Sequence, residues 1–293
     1  VRGITMSVVN TNVSASVAQA ALARNERALG AAMEKLSTGK KINSAADNAA
    51  GLAISTQMTS QIRGLGVAVS NANDAISMVN TADGALDEIT TMLQRMRELA
   101  VQAGTGTTAA TDRTYLQSEF TALRTEIDRI ADNTQWNGRN ILDGSAGAST
   151  GKSTVAFGIG QDGTAAQTLS TSFGNFNNTT GKLSGLASKV ITGTTITSAI
   201  TVAAAAITEI DVVIADVSAQ RASFGAVSNR LTHAVDSLTN TKTNSEAARS
   251  RVLDTDYAAA TSELARTQII QQAGTAMLAQ ANTMPQTVLA LLQ

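Results

Sequence analysis

Apolar residues recur along most of this chain at alternating steps of three and four, the spacing of one face of an α-helix. In the first segment Leu22, Leu29 and Leu36 fall seven apart, with Ala18, Asn25 and Ala32 four residues before each, which predicts a narrow heptad seam. The pattern stops at Ser37-Thr38-Gly39, and the small and polar residues of 40–47 read as a connector. From Ile62 the steps are kept by Leu65, Val69, Ala72, Ile76, Val79, Asp83 and Leu86. After a small phase shift Ile89, Leu93, Met96 and Leu99 continue them. A helix over 49–103 would be roughly 80 Å long at ~1.5 Å per residue, so it needs neighbours along its length.

Gly and Thr at 104–110 end that run, and Leu116, Phe120, Leu123, Ile127 and Ile130 predict an antiparallel return. From Gly144 to about Thr201 the composition turns to Gly, Ser and Thr; within it Thr154–Gly160 and Lys189–Thr192 read as short hairpin strands. Helical period resumes at Val202 and is held by Ile210, Val213, Val217, Gln220, Phe224, Val227, Leu231, Ala234 and Leu238. A last amphipathic run includes Ile270, Met277, Met284, Val288 and Leu291, with Pro285 expected to kink or interrupt it. The expected fold class is mainly α: long antiparallel helices forming a terminal coiled coil and a helical rod domain, with a small β-hairpin-rich central segment. The expected boundaries are 1–40 with 260–293 for the coiled coil, 41–143 with 202–259 for the rod, and 144–201 for the β-rich segment. Narrow seams at both ends cannot be buried alone, so the terminal helices must pair with each other or with copies of the chain.

Composition narrows the chemistry. With 22 Lys plus Arg against 23 Asp plus Glu the net charge is −1, which removes a basic footprint for nucleic acid or an anionic membrane surface. There is no Cys and one His, which excludes thiolate zinc sites, cysteine nucleophiles and paired-His metal sites. His233 would need a catalytic partner that the sequence does not show. Acidic residues are scattered at helical spacings, as on solvated faces, so no catalytic, cofactor or metal site is expected and the chain reads as no enzyme. No run reaches the ~18 consecutive apolar residues of a membrane-spanning helix, and residues 1–20 lack the apolar block of a secretory signal. Gly225, inside a helical run at a cost of about 1 kcal/mol relative to Ala, reads as a position where close packing outweighs propensity.

Several blocks carry a resemblance. Lys35-Leu-Ser-Thr-Gly-Lys-Lys-Ile-Asn-Ser-Ala-Ala-Asp-Asn-Ala-Ala-Gly-Leu-Ala-Ile54 resembles the N-terminal signature of bacterial flagellin, as does Leu93-Gln-Arg-Met-Arg-Glu-Leu-Ala-Val-Gln102. Arg249-Ser-Arg-Val-Leu-Asp-Thr-Asp-Tyr257 and Ile269-Ile-Gln-Gln-Ala-Gly-Thr-Ala-Met-Leu-Ala-Gln-Ala-Asn282 resemble the matching C-terminal blocks. The resemblance covers roughly 6–142 and 203–293, with Val155–Thr164 more loosely similar to the family's β-hairpin. Val1–Thr5 precede Met6, where family sequences usually begin, and only 143–202 separate the two halves, so the resemblance is to a minimal form without most of the variable outer domains.

The resemblance implies a structural subunit that polymerises into the flagellar filament used for swimming. Such a subunit is exported unfolded without a cleaved signal peptide, assembled at the distal end, and extracellular. The alternative is a flagellar junction or adaptor protein with similar helical ends that forms no long filament. The implied inner seam is Leu22, Leu29, Leu36, Ile270, Met277, Met284 and Leu291. A patch of Leu93, Gln94, Arg95, Glu98, Leu99, Gln102 and Glu119 is implied as a protofilament contact and as the surface met by the Toll-like receptor that senses flagellin. Implied partners are copies of the chain, the flagellar cap, hook–filament junction proteins, an export chaperone and the export apparatus. Nucleic acid, membrane insertion and cofactors are not implied.

Overall fold

The structure, a computed structural model, describes residues 11–147, 153–160, 167–177 and 181–290, and of 284–290 the backbone alone. In order the elements are α1 (Val13–Thr38), α2 (Ala45–Ala103), α3 (Ala110–Asn133), β1 (Gln135–Trp136), β2 (Arg139–Asn140), β3 (Thr154–Gly158), β4 (Thr168–Ser172), α4 (Ser184–Ala187), α5 (Ile196–Leu253) and α6 (Tyr257–Ala290). The fold is mainly α, as the periodicity predicts. Contacts divide the chain into two compact units, Val1–Ser60 with Asn244–Gln293 and Gln61–Thr243. These divisions fall inside α2 and α5, further from the termini than the boundaries read from the sequence.

In the first unit α1 packs on α6. Asn12 caps α1 by accepting a 3.0 Å hydrogen bond from the Ala15 N–H, and Gly39 ends the helix in the left-handed conformation at φ 71°. A side chain at that backbone angle is strained, and a Cβ there would also lie 3.0 Å from the Tyr257 hydroxyl. The two connectors of this unit are tied together: Lys41 N–H donates to the Leu253 carbonyl (2.8 Å) and Thr255 N–H to the Gly39 carbonyl (2.9 Å). Ahead of α2, the Asp47 carboxylate accepts from the Asn43 and Ser44 N–H groups and the Ser44 hydroxyl. Asn48 has non-helical angles (φ −166°, ψ 98°), and its Oδ1 accepts from Gly51 N–H at 2.8 Å, so continuous helix begins at 49, where the periodicity places it.

The second unit is built on one buried row of α2: Leu65, Ala68, Ala72, Ala75, Val79, Ala82, Leu86, Ile89, Leu93, Met96, Ala100 and Ala103. The steps of three and four are unbroken, so the phase shift expected near residue 89 is absent. Val69, Ile76 and Asp83, expected on the seam, are half-buried beside it, and the neighbouring alanines take their places. Against this row pack Phe120 and Ile127 of α3 and Ile210, Val213, Val217, Phe224, Val227 and Leu231 of α5. Six of the nine predicted α5 positions form this buried row, while Gln220, Ala234 and Leu238 are half-buried.

Hairpins cover one part of this core. Asn137 (φ 50°) and Gly138 (φ 75°) make the two-residue turn between β1 and β2, where a primed turn demands positive φ at both positions. Strands β3 and β4 pair antiparallel from Thr154↔Ser172 to Gly158↔Thr168, with Leu169 and Thr171 inward. Phe173 follows β4 into the core and meets Phe224 with ring centroids 5.2 Å apart.

Two expectations are corrected. Lys189–Thr192 is not a strand: the Ile191 N–H is taken by the Gln117 side chain at 2.6 Å, and Ile191 is buried, so its backbone forms no ladder. Pro285 does not end the last helix, since α6 is helical to Ala290. The α5 helix is long and apolar enough by composition to cross a membrane, but Thr201, Thr208, Glu209 and Asp211 break its apolar run, so it holds no ~18 consecutive apolar residues. Near its start α5 also lays Ala199, Ala203 and Ala206 into the core of its unit.

Candidate assembly surfaces

The α1–α6 pair has the register of an antiparallel coiled coil. Asn12 Nδ2 donates to the Ala281 carbonyl (2.7 Å), Asn25 Nδ2 to the Thr267 carbonyl (2.7 Å), and Leu22 lies against Gly274. On α1 the row facing the partner is Ala15, Ala18, Leu22, Asn25, Leu29, Ala32 and Leu36, all buried or half-buried. The predicted Leu22, Leu29 and Leu36 belong to it. On α6 the matching row is Ala260, Leu264, Thr267, Gln271, Gly274, Leu278 and Ala281.

That row stands one residue beyond the predicted one. Ile270 and Met277 are 47% and 67% exposed on the flank. The cause is size: a small residue every seventh position, Ala260, Thr267, Gly274 and Ala281, lets the helices approach, and a Cβ on Gly274 would lie 3.1 Å from Leu22 Cδ1. A heptad of small residues was the signal to read. The Met284 side chain and Leu291 lie outside the described residues.

What the pair leaves outside is apolar. Val13, Val17, Ile269, Ile270 and Met277 are all exposed. A cavity of about 470 Å³ opens on this face between Val17, Ala21, Leu22, Ile270, Gly274 and Met277. A contiguous apolar surface of this kind marks a site of association.

In the other unit, the predicted patch divides. Leu93, in the α2 row, and Leu99, beside it, are fully buried, so their side chains meet the chain's own core. Gln94, Arg95, Glu98 and Gln102 are exposed on α2, and Glu119 on α3. With Arg97 and Val101, residues Gln94, Glu98 and Gln102 line a shallow groove of about 500 Å³. Arg95 bridges two helices: Nη1 donates to Glu98 Oε2 (3.0 Å) and Nε to Glu119 Oε1 (2.9 Å). The hydrogen bonds to Glu98 and then Glu119 raise the guanidinium above its ordinary value, so it is charged throughout. Arg97 pairs likewise with Asp211 at 2.7 Å. These pairs are solvated; they orient charges on the surface more than they stabilise the fold.

No nucleophile–base pair is formed by these groups. His233 is exposed on α5 and makes no side-chain hydrogen bond among the described residues, and no cluster of metal-ligating side chains occurs among them.

The comparisons identify the family. The model of the bacterial flagellin N-terminal helical region matches residues 9–147, and that of the bacterial flagellin C-terminal helical region matches 207–292. The chain belongs to the bacterial flagellin family. The flagellin of Halalkalibacterium halodurans is 42% identical over 286 residues, covering 98% of this chain and 100% of that protein. The flagellin of Bacillus subtilis is 41% identical over 306 residues, covering 97% and 99%. A solved structure described as a flagellar hook-associated protein, from Vibrio parahaemolyticus, matches with a TM-score of 0.58 over 71% of this chain and 100% of that one; at 13% identity it shares the fold alone. Both matched flagellin regions contain the surfaces described above: α1, α2 and α3 in the first, most of α5 and α6 in the second.

Proposed function

We propose that this chain is a structural subunit that polymerises into a flagellar filament, exported unfolded and added at the distal end, outside the cell. The observation that carries the reading is the row of exposed apolar side chains beside the α1–α6 seam, in a chain whose two ends match flagellin. The seam satisfies the fold of one copy, and the flank at Val13, Val17, Ile270 and Met277 awaits another. Contacts between different patches of identical subunits propagate an open helix when the rotation between neighbours does not close a ring.

The remaining partners follow the family: a cap, hook–filament junction proteins, an export chaperone and the export apparatus. The exposed residues Gln94, Arg95, Glu98, Gln102 and Glu119 are proposed as a protofilament contact, and as the surface available to the Toll-like receptor on free monomer. Arg95→Ala tests that patch: lower elongation and weaker receptor signalling are expected from a chain that still melts at the parental temperature, and unchanged values in both would remove the patch.

The experiment for the main reading is seeded growth. Heat-dissociated full-length chain is mixed with short filament fragments and followed by electron microscopy. Long filaments with a hollow core are expected; monomer that persists in the presence of competent seeds would overturn polymerisation.

A further inference from the structure

We propose that Met277 is a redox-sensitive position on the assembly surface, and that its oxidation to the sulfoxide blocks addition of the chain to a filament. The inference rests on the polymerisation proposed above.

Three observations combine. Met277 is 67% exposed, whereas Met78 and Met96, at 4% and 0%, are sealed in the core of the other unit. Thioether oxidation follows access, so the sulfur of Met277 reacts early. Met277 also lines the apolar cavity with Val13, Val17, Leu22 and Ile270, where Ser14 is the one polar side chain. Finally, it stands next to Leu278 of the seam without belonging to it, so a change at its sulfur leaves the α1–α6 pairing untouched. Folding and assembly are thus separated at this residue.

The chemistry is a single oxygen transfer. Hydrogen peroxide gives one oxygen atom to Met277 Sδ; the O–O bond breaks, the S–O bond forms, sulfur is oxidised from thioether to sulfoxide, and the peroxide is reduced to water. The product has a strong hydrogen-bond acceptor and a new stereocentre in place of a flexible apolar tip. Covered by a neighbouring copy, that oxygen would lose its water and find few donors in a lining of Val, Leu, Ile and Gly. An unpaired buried polar group weakens such a contact by about tenfold or more.

The test uses full-length monomer treated with hydrogen peroxide, with sulfoxides mapped by peptide mass spectrometry and seeded elongation measured by light scattering. Among the methionines whose side chains are described, Met277 and the comparably exposed Met33 (56%) should oxidise first. Elongation should fall about tenfold or more while far-UV circular dichroism is unchanged. Met277→Leu, of similar volume, should elongate at the same rate before and after treatment, whereas Met33→Leu should lose elongation on treatment as the parent does. Fully oxidised Met277 with normal elongation, or protection by Met33→Leu in place of Met277→Leu, would overturn the inference. Should Met277→Leu itself assemble poorly, intact filaments decide: slower oxidation of Met277 in filament than in monomer is expected, and equal rates would overturn the proposal. Untreated chain that fails to elongate seeds indicts polymerisation itself, a separate failure.

Discussion

Asn25 and Thr267 are joined across the α1–α6 pair by a buried 2.7 Å hydrogen bond from the Asn25 side-chain amide to the Thr267 carbonyl. An amide in an otherwise apolar seam costs burial energy but satisfies its donor at one register only, so it pins the alignment of the two helices. Asn12, bonded to the Ala281 carbonyl, fixes the same register about four turns of α6 further on. Asn25→Ala should weaken the pair by about 1 kcal/mol. Amide exchange of α1 and α6 should then accelerate about fivefold, read by mass spectrometry. Unchanged protection would show that the bond adds nothing.

Leu99 and Gln102 lie one turn apart on α2 and differ in what they touch. Leu99 is fully buried and Gln102 exposed. Leu99→Ala should cost about 2–5 kcal/mol through lost contacts and the cavity left behind. Gln102→Ala should stay within about 0.5 kcal/mol of the parent. Urea unfolding separates the two, and equal effects would refute the inward assignment of Leu99.

Glycine within helices has two meanings here. Gly225 is exposed, and a Cβ built on it meets nothing within 4 Å, so no packing inside one copy of the chain requires glycine there. Gly225→Ala should therefore stabilise the isolated chain by about 0.5–1 kcal/mol. At Gly274 the same Cβ comes within 3.1 Å of Leu22, so Gly274→Val should loosen the helix pair despite better propensity. Paired thermal melts of the two variants should move in opposite directions.

Acid should act on the carboxylates that hold turns. Asp47 sits below its ordinary value of 3.8 because the Ser44 and then the Asn43 N–H groups donate to it. For Asp143 burial pulls upward, but hydrogen bonds from Ser145 and Asn140 outweigh it and the carboxyl is also lowered. A depressed folded-state value means stability is fully present above the unfolded value, near 3.8, and is lost as pH falls through the folded one. Stability should thus be flat from neutral pH to about 4 and decline below, with a shallower acid limb for Asp143→Asn. An identical acid limb in variant and parent would remove Asp143 as a contributor.

Much of the fold was legible where the large apolar residues themselves occupy the seam. On α5 the row from Ile210 through Phe224 to Leu231 is both the bulkiest and the most buried, so period alone located it. The Asn137-Gly138 turn was not marked by the period and shows only in the backbone, where both residues take positive φ. Strand β3 followed from its β-branched residues, whereas Lys189–Thr192, of similar make-up, failed because a side chain from α3 claimed its amide. That competitor is far away in sequence.

By itself the sequence determined the helical periods, the stop of the first helix at Gly39, and the end blocks that place the chain among flagellins. The tertiary structure alone decided which of two adjacent strips turns inward on α2 and α6. On α2 Ala68, Ala75 and Ala82 displaced Val69, Ile76 and Asp83, and on α6 Thr267 and Gly274 displaced Ile270 and Met277. The physical reason is that burial energy depends on how near the partner backbone can come, and small residues set that distance. The larger neighbours are left on the flank, half-buried on α2 and exposed on α6, where only a second surface can cover them.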